Sequence, residues 1–542
     1  MVHQSKEVIK TLVEMGFDEI TVIKALDECN GNQERALDYL LNKDTNTSVV
    51  PYAQNPSIGL KVDEDEIKKA IALSMEESSK SQSSEQKERD PNTPIGLKNS
   101  SNVSFFTSLI QFYYSLPFFR EIMMKQVPSF QPQDNRGKKL VKLISEMSLL
   151  FKNMGTNKMK YEDTNRVMNA LIDIDGSQVI NSEKNDIGEF SMRFIAKIEE
   201  GLSYLNSQGE ENVAKRKDSM SFLIDNSILS KFFCGKLVND IRSKLPDGSK
   251  YKDEQIPTIF GKFEIEVDKK EFYEAWGDAL TKEIDNFQVA DGVFVKAKQT
   301  SWIDGLPGVL IFGINRLATD SNGNLFKIKK GFSFPMYLYP GRYLLGNQKK
   351  TRSLQKALAT KKRNAKQLEN SIETFDNFEG KNVNISKMLN LCLNFLENQK
   401  NQDINIDENE VFVEPPFGIE KQSSFNETLN VIKAYSDKVR SNLEEMKEKL
   451  RRYEDEIENT FDEKKFRKQE YELSAIVIHD GDAGSGQYYS YMKKDGVWRK
   501  YHDINVTEVG EKNVMFDSLG EYGISAACCL IYVDKGLLRD NN

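Results

Sequence analysis

The sequence predicts an α+β protein built in several parts, and three observations carry that expectation. A small unit with helical spacing opens the chain and a polar stretch separates it from the rest. Helical spacing then dominates from about Gly96 to Asp240, and strand-like alternation from about Lys250 to Leu345, as in Phe263-Glu264-Ile265-Glu266-Val267. A long polar helical block over 346–469 interrupts the strand patterns, which resume at Leu473–Ile478, Tyr488–Met492 and Ala526–Val533. At 542 residues the chain is also too long for one core, so two or more domains are expected.

Each part can be justified in order. Over residues 6–42, Val8, Ile9, Leu12 and Val13 keep helical spacing until Met15-Gly16-Phe17 interrupts. A second run holds Ile20, Ile23, Ala25 and Leu26 before Asn30-Gly31-Asn32, and a third holds Ala36, Leu37, Leu40 and Leu41. Asp63-Glu64-Asp65-Glu66 then leads into Ile67, Ala70, Ile71 and Ser74, which share one helix face. The leading carboxylates suit a helix N-terminus. Residues 78–94 are polar and read as a flexible linker.

Within the helical block, Val439, Leu443, Met446, Leu450, Tyr453 and Ile457 alternate spacings of four and three, which is a heptad seam. Leu354, Leu358, Leu368, Ile372 and Phe375 repeat it less regularly. Two seams joined by a polar stretch predict an antiparallel helical hairpin inserted into a sheet domain. Such an arm can pack on its own domain or join a second copy of the chain.

Composition narrows the function classes. A net charge of -8 argues against a nucleic-acid binder, which needs a clustered Lys/Arg excess. A solvated helix face explains the short run Lys361-Lys362-Arg363 at least as well as a nuclear signal does. The first residues lack the apolar core of a secretory signal, and no run approaches the ~20 apolar residues needed to cross a bilayer. Five cysteines without a Cys-x-x-Cys pair predict inert thiols in a reducing compartment, cytoplasmic or nuclear, with no metal and no cofactor. Only three histidines occur: His3, His479 and His502.

Two segments carry a family resemblance. Gly96-Leu97-Lys98-Asn99 leads through Ser101-Asn102-Val103 to Ser104-Phe105-Phe106, and the pattern continues through Gln111 to Leu116-Pro117-Phe118-Phe119-Arg120. This is similar to the nucleophile box of ubiquitin-specific proteases. Tyr471 to Val509 is similar to their histidine box: a strand with His479, a Gly-rich turn, then Gly486-Gln487-Tyr488, Tyr491, Trp498 and Tyr501-His502-Asp503. Asp186-x-x-Glu189-Phe190 and Leu306-Pro307 through Arg316 resemble further family motifs. The opening three-helix unit resembles a ubiquitin-associated domain, with any three-helix bundle as the alternative. The helix over 63–77 resembles a ubiquitin-interacting motif, with a solvated amphipathic helix as the alternative.

The resemblance covers nearly the whole chain and implies a papain-like fold. Its helical thumb, β palm and fingers would span 95–345 and 470–537, around the helical insertion at 346–469. The ubiquitin-associated-like domain would occupy 1–44, the interacting motif 60–79 and the linker 80–94. Ubiquitin or its chains would be the partner. Met15, Gly16, Phe17, Leu40 and Leu41 would contact it in the first domain, Ile67, Ala70, Ile71 and Ser74 in the motif, and Gly484, Gly486 and Tyr488 in the palm. The branch with this domain order uses its insertion to oligomerise.

The same resemblance exposes a departure. The nucleophile position holds Ser104, the base position Gln487 and the orienting position His502, while Asn99 matches the oxyanion donor. Family members use a Cys thiolate, a His and an Asp or Asn there. A hydroxyl is far less ionised than a thiol and needs an adjacent base. An amide such as Gln487 has no proton to shuttle near neutrality. Ser101 also stands where the family prefers Gly. The expectation is a ubiquitin-binding protein without protease activity. Its alternatives are a hydrolase using Ser104 with His502 or His479, and a scaffold binding ubiquitin through the N-terminal modules alone.

Overall fold

The computed structural model describes residues 88–90, 93–99, 104–126, 132–176, 187–207, 229–243, 252–267, 271–377, 383–400, 422–483, 485–521 and 524–538. Of the chain's two units, Met1–Ser84 and Glu85–Asn542, these belong to the second. The candidate residues Met15, Gly16, Phe17, Leu40, Leu41, Ile67, Ala70, Ile71 and Ser74 lie outside them, as do Ser101 and Gly484.

The first half is helical. Strand β1 (Gly96–Lys98) precedes α1 (Ser104–Ser115), α2 (Pro117–Met124), α3 (Asn135–Thr156), β2 (Tyr161–Asp163), α4 (Asn165–Asp175), α5 (Ile187–Asn206) and the one-turn α6 (Ser230–Phe233). Helix α1 is apolar nearly all round, with Phe105, Phe106, Leu109, Ile110, Phe112 and Tyr113 all buried. A helix of that kind belongs inside a core rather than on a surface. Its rings meet those of α5 edge-on and stacked: Phe105 and Phe190 lie 4.9 Å apart, Tyr113 and Phe194 5.6 Å. Asp134 caps α3 by accepting from Gly137 N–H at 2.6 Å, and Pro117 opens α2 where no amide donor is needed.

The second half is mostly strands: β3 (Gly235–Ser243), β4 (Lys252–Phe260), β5 (Phe263–Glu266), then α7 (Phe272–Ala279), β6 (Thr281–Ala290), β7 (Val293–Gly305), β8 (Val309–Asn315), β9 (Leu317–Thr319), β10 (Leu325–Lys327) and β11 (Tyr337–Leu338). Strands β3 and β7 are the centre of a four-stranded antiparallel sheet in the order β4-β3-β7-β6. So the stretch from Gly96 to Asp240, read as mostly helical, ends in a strand.

The helical block separates these strands from β12 (Tyr471–Asp482), β13 (Ser485–Lys494), β14 (Val497–His502), β15 (Asn505–Glu508) and β16 (Ser525–Asp534). All join one eight-stranded sheet in the order β15-β14-β13-β12-β16-β8-β5, with β11 paired to β12. The central strands are buried on both faces. Val309, Ile311, Ala475, Val477, Cys529 and Ile531 pack towards the helices of the first half. The alternate residues Leu310, Phe312, Ile476, Ile478, Leu530 and Tyr532 enter a second core with α7. Burial on both faces makes β8, β12 and β16 near-continuous apolar runs, where the sequence reading expected strand alternation.

Among the described residues the block holds the helices α8 (Gln348–Asp376), α9 (Ile385–Lys400) and α10 (Gln422–Glu458), and α11 (Glu511–Leu519) follows β15. Helices α8 and α10 run antiparallel and meet through Ile372, Val439 and Leu443, flanked by Phe375, Met446 and Leu450. Ion pairs follow the same antiparallel register, Lys361 with Glu456 at 2.7 Å and Lys447 with Asp376 at 3.4 Å. Part of the basic run read as a solvated face therefore binds across the arm, and Lys362 reaches Glu274 on α7 at 3.5 Å. The third helix, α9, was read as a polar joint, but Ile385 and Leu389 pack into the seam.

Candidate functional site

The nucleophile position sits where α1 begins, against β13. Ser104 is buried, and its Oγ accepts a hydrogen bond from the Tyr488 N–H at 2.9 Å. Two contacts fix this end of α1. The Gln111 side chain donates to Ile95 O at 2.7 Å, and Leu97 N–H donates to Asp503 O at 3.0 Å. Strand β1 thereby lies on the β14–β15 turn. The approach is close enough that a Cβ on Gly96 would meet Ile504 O at 2.4 Å, so glycine is required there.

Gln487 and His502 face each other on adjacent strands, and His502 Nε2 lies 3.2 Å from Gln487 Oε1. An amide oxygen only accepts, so Nε2 carries the proton in this contact. The His502 ring also leans on Tyr489, with centroids 5.6 Å apart. The structure thus places Ser104 at the start of α1 against β13, Gln487 on β13 and His502 on β14, with the histidine bound to the glutamine and the serine bound to the backbone.

Asn99 is engaged as well. Its side chain hydrogen-bonds the carboxylate of Asp503, which Thr107 Oγ1 also meets at 3.5 Å. Burial raises the Asp503 pKa above the ordinary carboxylate value, and His502, Asn99 and Thr107 oppose that rise. Asp503 turns the chain with φ of 52°, in the left-handed region that Asp tolerates better than most residues. Sequence reading passed over Asp503 as a partner, although it sits next to the orienting position. The signal was weak because Asn99 and Asp503 are distant in sequence and meet only through β1.

Gly486 pairs with Gly481 where β12 and β13 meet. A Cβ there would stand 2.7 Å from Asp480 O and 2.6 Å from His479 Nε2, so a side chain would force the turn open. Tyr488 packs edge-on to Phe105, ring centroids 6.2 Å apart, and 4.9 Å from His479. His479 lies in β12, half-buried, and Lys327 Nζ stands 3.2 Å from its Nδ1. Burial first, then the Lys327 charge, bring its pKa down to about 4 from the usual 6.5. It is neutral near pH 7. Among the described residues no group of His, Cys, Asp and Glu is arranged to hold a metal, and no helix is long and apolar enough to cross a membrane.

With this geometry in view, the comparison with known proteins decides the family: the ubiquitin carboxyl-terminal hydrolase profile matches residues 95–532. The chain belongs to that family. A ubiquitin-associated (UBA/TS-N) domain profile matches residues 4–40. Human ubiquitin carboxyl-terminal hydrolase 28 is similar at 22% identity over 510 residues, covering 82% of this chain and 46% of the relative. The mouse protein of the same name is 20% identical over 514 residues, covering 82% and 47%. Ubiquitin carboxyl-terminal hydrolase 2 of Saccharomyces cerevisiae matches a shorter stretch, 36% identical over 67 residues, 12% of this chain and 5% of the relative. The chain spans about half the length of its hydrolase 28 relatives. For this hydrolase-family chain, the mixed helix-and-sheet papain-like domain and the N-terminal ubiquitin-associated domain agree with the fold class read from sequence.

Proposed function

We propose that this chain binds ubiquitin or ubiquitin chains and does not cleave them, acting as a reader or scaffold in the cytoplasm or nucleus. The observation that carries this is the pairing at the cleft. Ser104 Oγ is held by Tyr488 N–H, while the His502 ring is held by Gln487. Nucleophilic attack needs a base within hydrogen-bond reach of the nucleophile. Here the groups standing in for nucleophile and base satisfy other partners. Asn99 is likewise committed to Asp503. The walls that would receive an extended tail, Gly486 and Tyr488, retain their place beside Ser104.

The arm supports a second part of the reading, self-association. Leu391 and Phe395 on α9 and Val431 and Tyr435 on α10 expose more than half of their surface. They lie away from the seam that joins α8 to α10, and a second copy would cover them and double the ubiquitin valency.

The deciding experiment incubates the full chain with a fluorogenic ubiquitin C-terminal amide beside an active hydrolase. A flat trace at high protein concentration supports the reading. Cleavage that disappears in Ser104→Ala would replace it with a serine-based hydrolase, and His502 and His479 would then be tested as base. Ubiquitin binding by 1–94 but not by 95–542 would reduce the palm to a scaffold.

A further inference from the structure

Two cations behind the cleft, the buried Arg316 and the half-buried Lys327, serve main-chain carbonyls. Arg316, at the end of β8, donates through Nε to Ala527 O at 3.2 Å, through Nη1 to Lys330 O at 2.8 Å and through Nη2 to Leu519 O at 2.7 Å. Lys327, at the end of β10, donates to His479 O at 2.9 Å, Gly481 O at 2.9 Å and Ile524 O at 2.6 Å. Its fourth neighbour is His479 Nδ1 at 3.2 Å. An ammonium has three N–H donors, so these four acceptors use it fully.

The Lys327 acceptors lie at the end of β12, which leads into the Gly-rich turn, and at the entry to its neighbour β16. His479 and Gly481 belong to the end of β12, and Ile524 precedes β16. Strand ends fray unless their carbonyls find donors. A hydrogen bond donated by Lys327 makes Nδ1 the acceptor, so the single proton of the neutral ring sits on Nε2, the atom that lies against Gly486. The same ring neighbours Tyr488, whose N–H reaches Ser104. Contacts therefore run without a gap from the ammonium to the floor of the cleft.

We propose that Lys327 is the positioning residue of the cleft: its ammonium locks the end of β12, the His479 ring and the entry to β16 into one arrangement, and so presets the turn at Gly486 for an extended glycine tail. The identity of the tail rests on the ubiquitin-binding reading above, whereas the lock does not. Burial lowers the Lys327 pKa to about 8, so the amine is still mostly charged at neutral pH and its desolvation is offset by the carbonyls.

The test is hydrogen exchange followed by mass spectrometry on the full chain, with Lys327→Met, which keeps the length of the stem and removes the charge. Peptides covering 479–488 and 524–527 should exchange about ten-fold faster or more than in the wild type, with those of α3 and β8 unchanged. Protection of 479–488 on adding ubiquitin should fall with it. Lys327→Cys treated with 2-bromoethylamine regains an amine at the same reach and should recover slow exchange, with treated wild type as the control for the other cysteines. Should Lys327→Met fail to fold, Lys327→Cys before and after that treatment decides the matter. Exchange in Lys327→Met equal to wild type would overturn the lock, as would failure of the restored amine to slow it. Absence of ubiquitin protection at 479–488 in the wild type would instead overturn the tail, because the ubiquitin-free comparison judges the lock separately.

Discussion

At the scale of single residues, the proposed loss of cleavage rests on residue identity and geometry together. Changing Ser104→Cys alone should leave the fluorogenic ubiquitin amide uncut, because Gln487 still occupies the base position and cannot take the thiol proton. Ser104→Cys, Gln487→His and His502→Asn combined should return measurable cleavage. Turnover in the single variant would show that His502 leaves Gln487 to serve the nucleophile. His479 makes a separate prediction about pH. Its folded pKa of about 4 lies below the ordinary 6.5. Between those values the unfolded chain takes up a proton that the folded one refuses, so this contribution to stability is complete above pH 6.5 and lost as pH falls towards 4. Urea titrations of His479→Gln should show a shallower decline across that window, and parallel curves would remove His479 as the titrating group.

Single elements show what was legible and why. The strands β12 and β16 were expected from alternation, although burial on both faces makes them apolar runs, and α1 lies within the quoted motif. Helix α9 was not, since only Ile385 and Leu389 join the seam while Leu391 and Phe395 face outward, which blurs the helical period. Of the site, Ser104, Gln487 and His502 were singled out only through the family resemblance, as expected departures from its pattern. The Asn99–Asp503 and Lys327–His479 contacts were not, because long-range pairing decides them and sequence spacing carries no trace of it. Two substitutions test the elements. Gly96→Ala puts a methyl into the Ile504 backbone and should cost about 1–3 kcal/mol, read from the thermal midpoint of the 95–542 unit. Leu443→Ala empties the seam between α8 and α10 and should cost about 2–4 kcal/mol within the arm, read as faster exchange of α10 with the palm unaffected. Loss of palm protection in that variant would show that the arm and the sheet unfold together.

For the whole molecule, the reading joins weak contacts into useful affinity. A ubiquitin-associated domain on the same chain as a palm makes the second contact intramolecular, with effective concentrations on the order of millimolar for short flexible connections. Replacing Ala70 and Ser74 with bulky residues should therefore weaken capture of polyubiquitin while the melting temperature of 95–542 stays constant. Unchanged capture would remove the 63–77 segment from the account. Charging the outer face of the arm with Leu391→Asp and Phe395→Asp should lower the sedimentation mass if copies associate there, and leave it constant if they do not.

The antiparallel arm also bears on how the palm assembles. Strands β8 and β16 are neighbours in the sheet, yet the whole of α8 to α10 lies between them in sequence. Closing so long an open loop would carry an entropic penalty and slow the pairing. The arm removes most of that penalty, because Lys350 at its outgoing end stands 3.1 Å from Glu463 at its return. Once α8 and α10 zip together, the two halves of the palm are as near as if a short turn joined them. A chain in which 354–456 is replaced by a few Gly and Ser residues should refold its palm at a rate close to that of the full chain. A chain whose seam is broken but whose length is kept should refold more slowly than either.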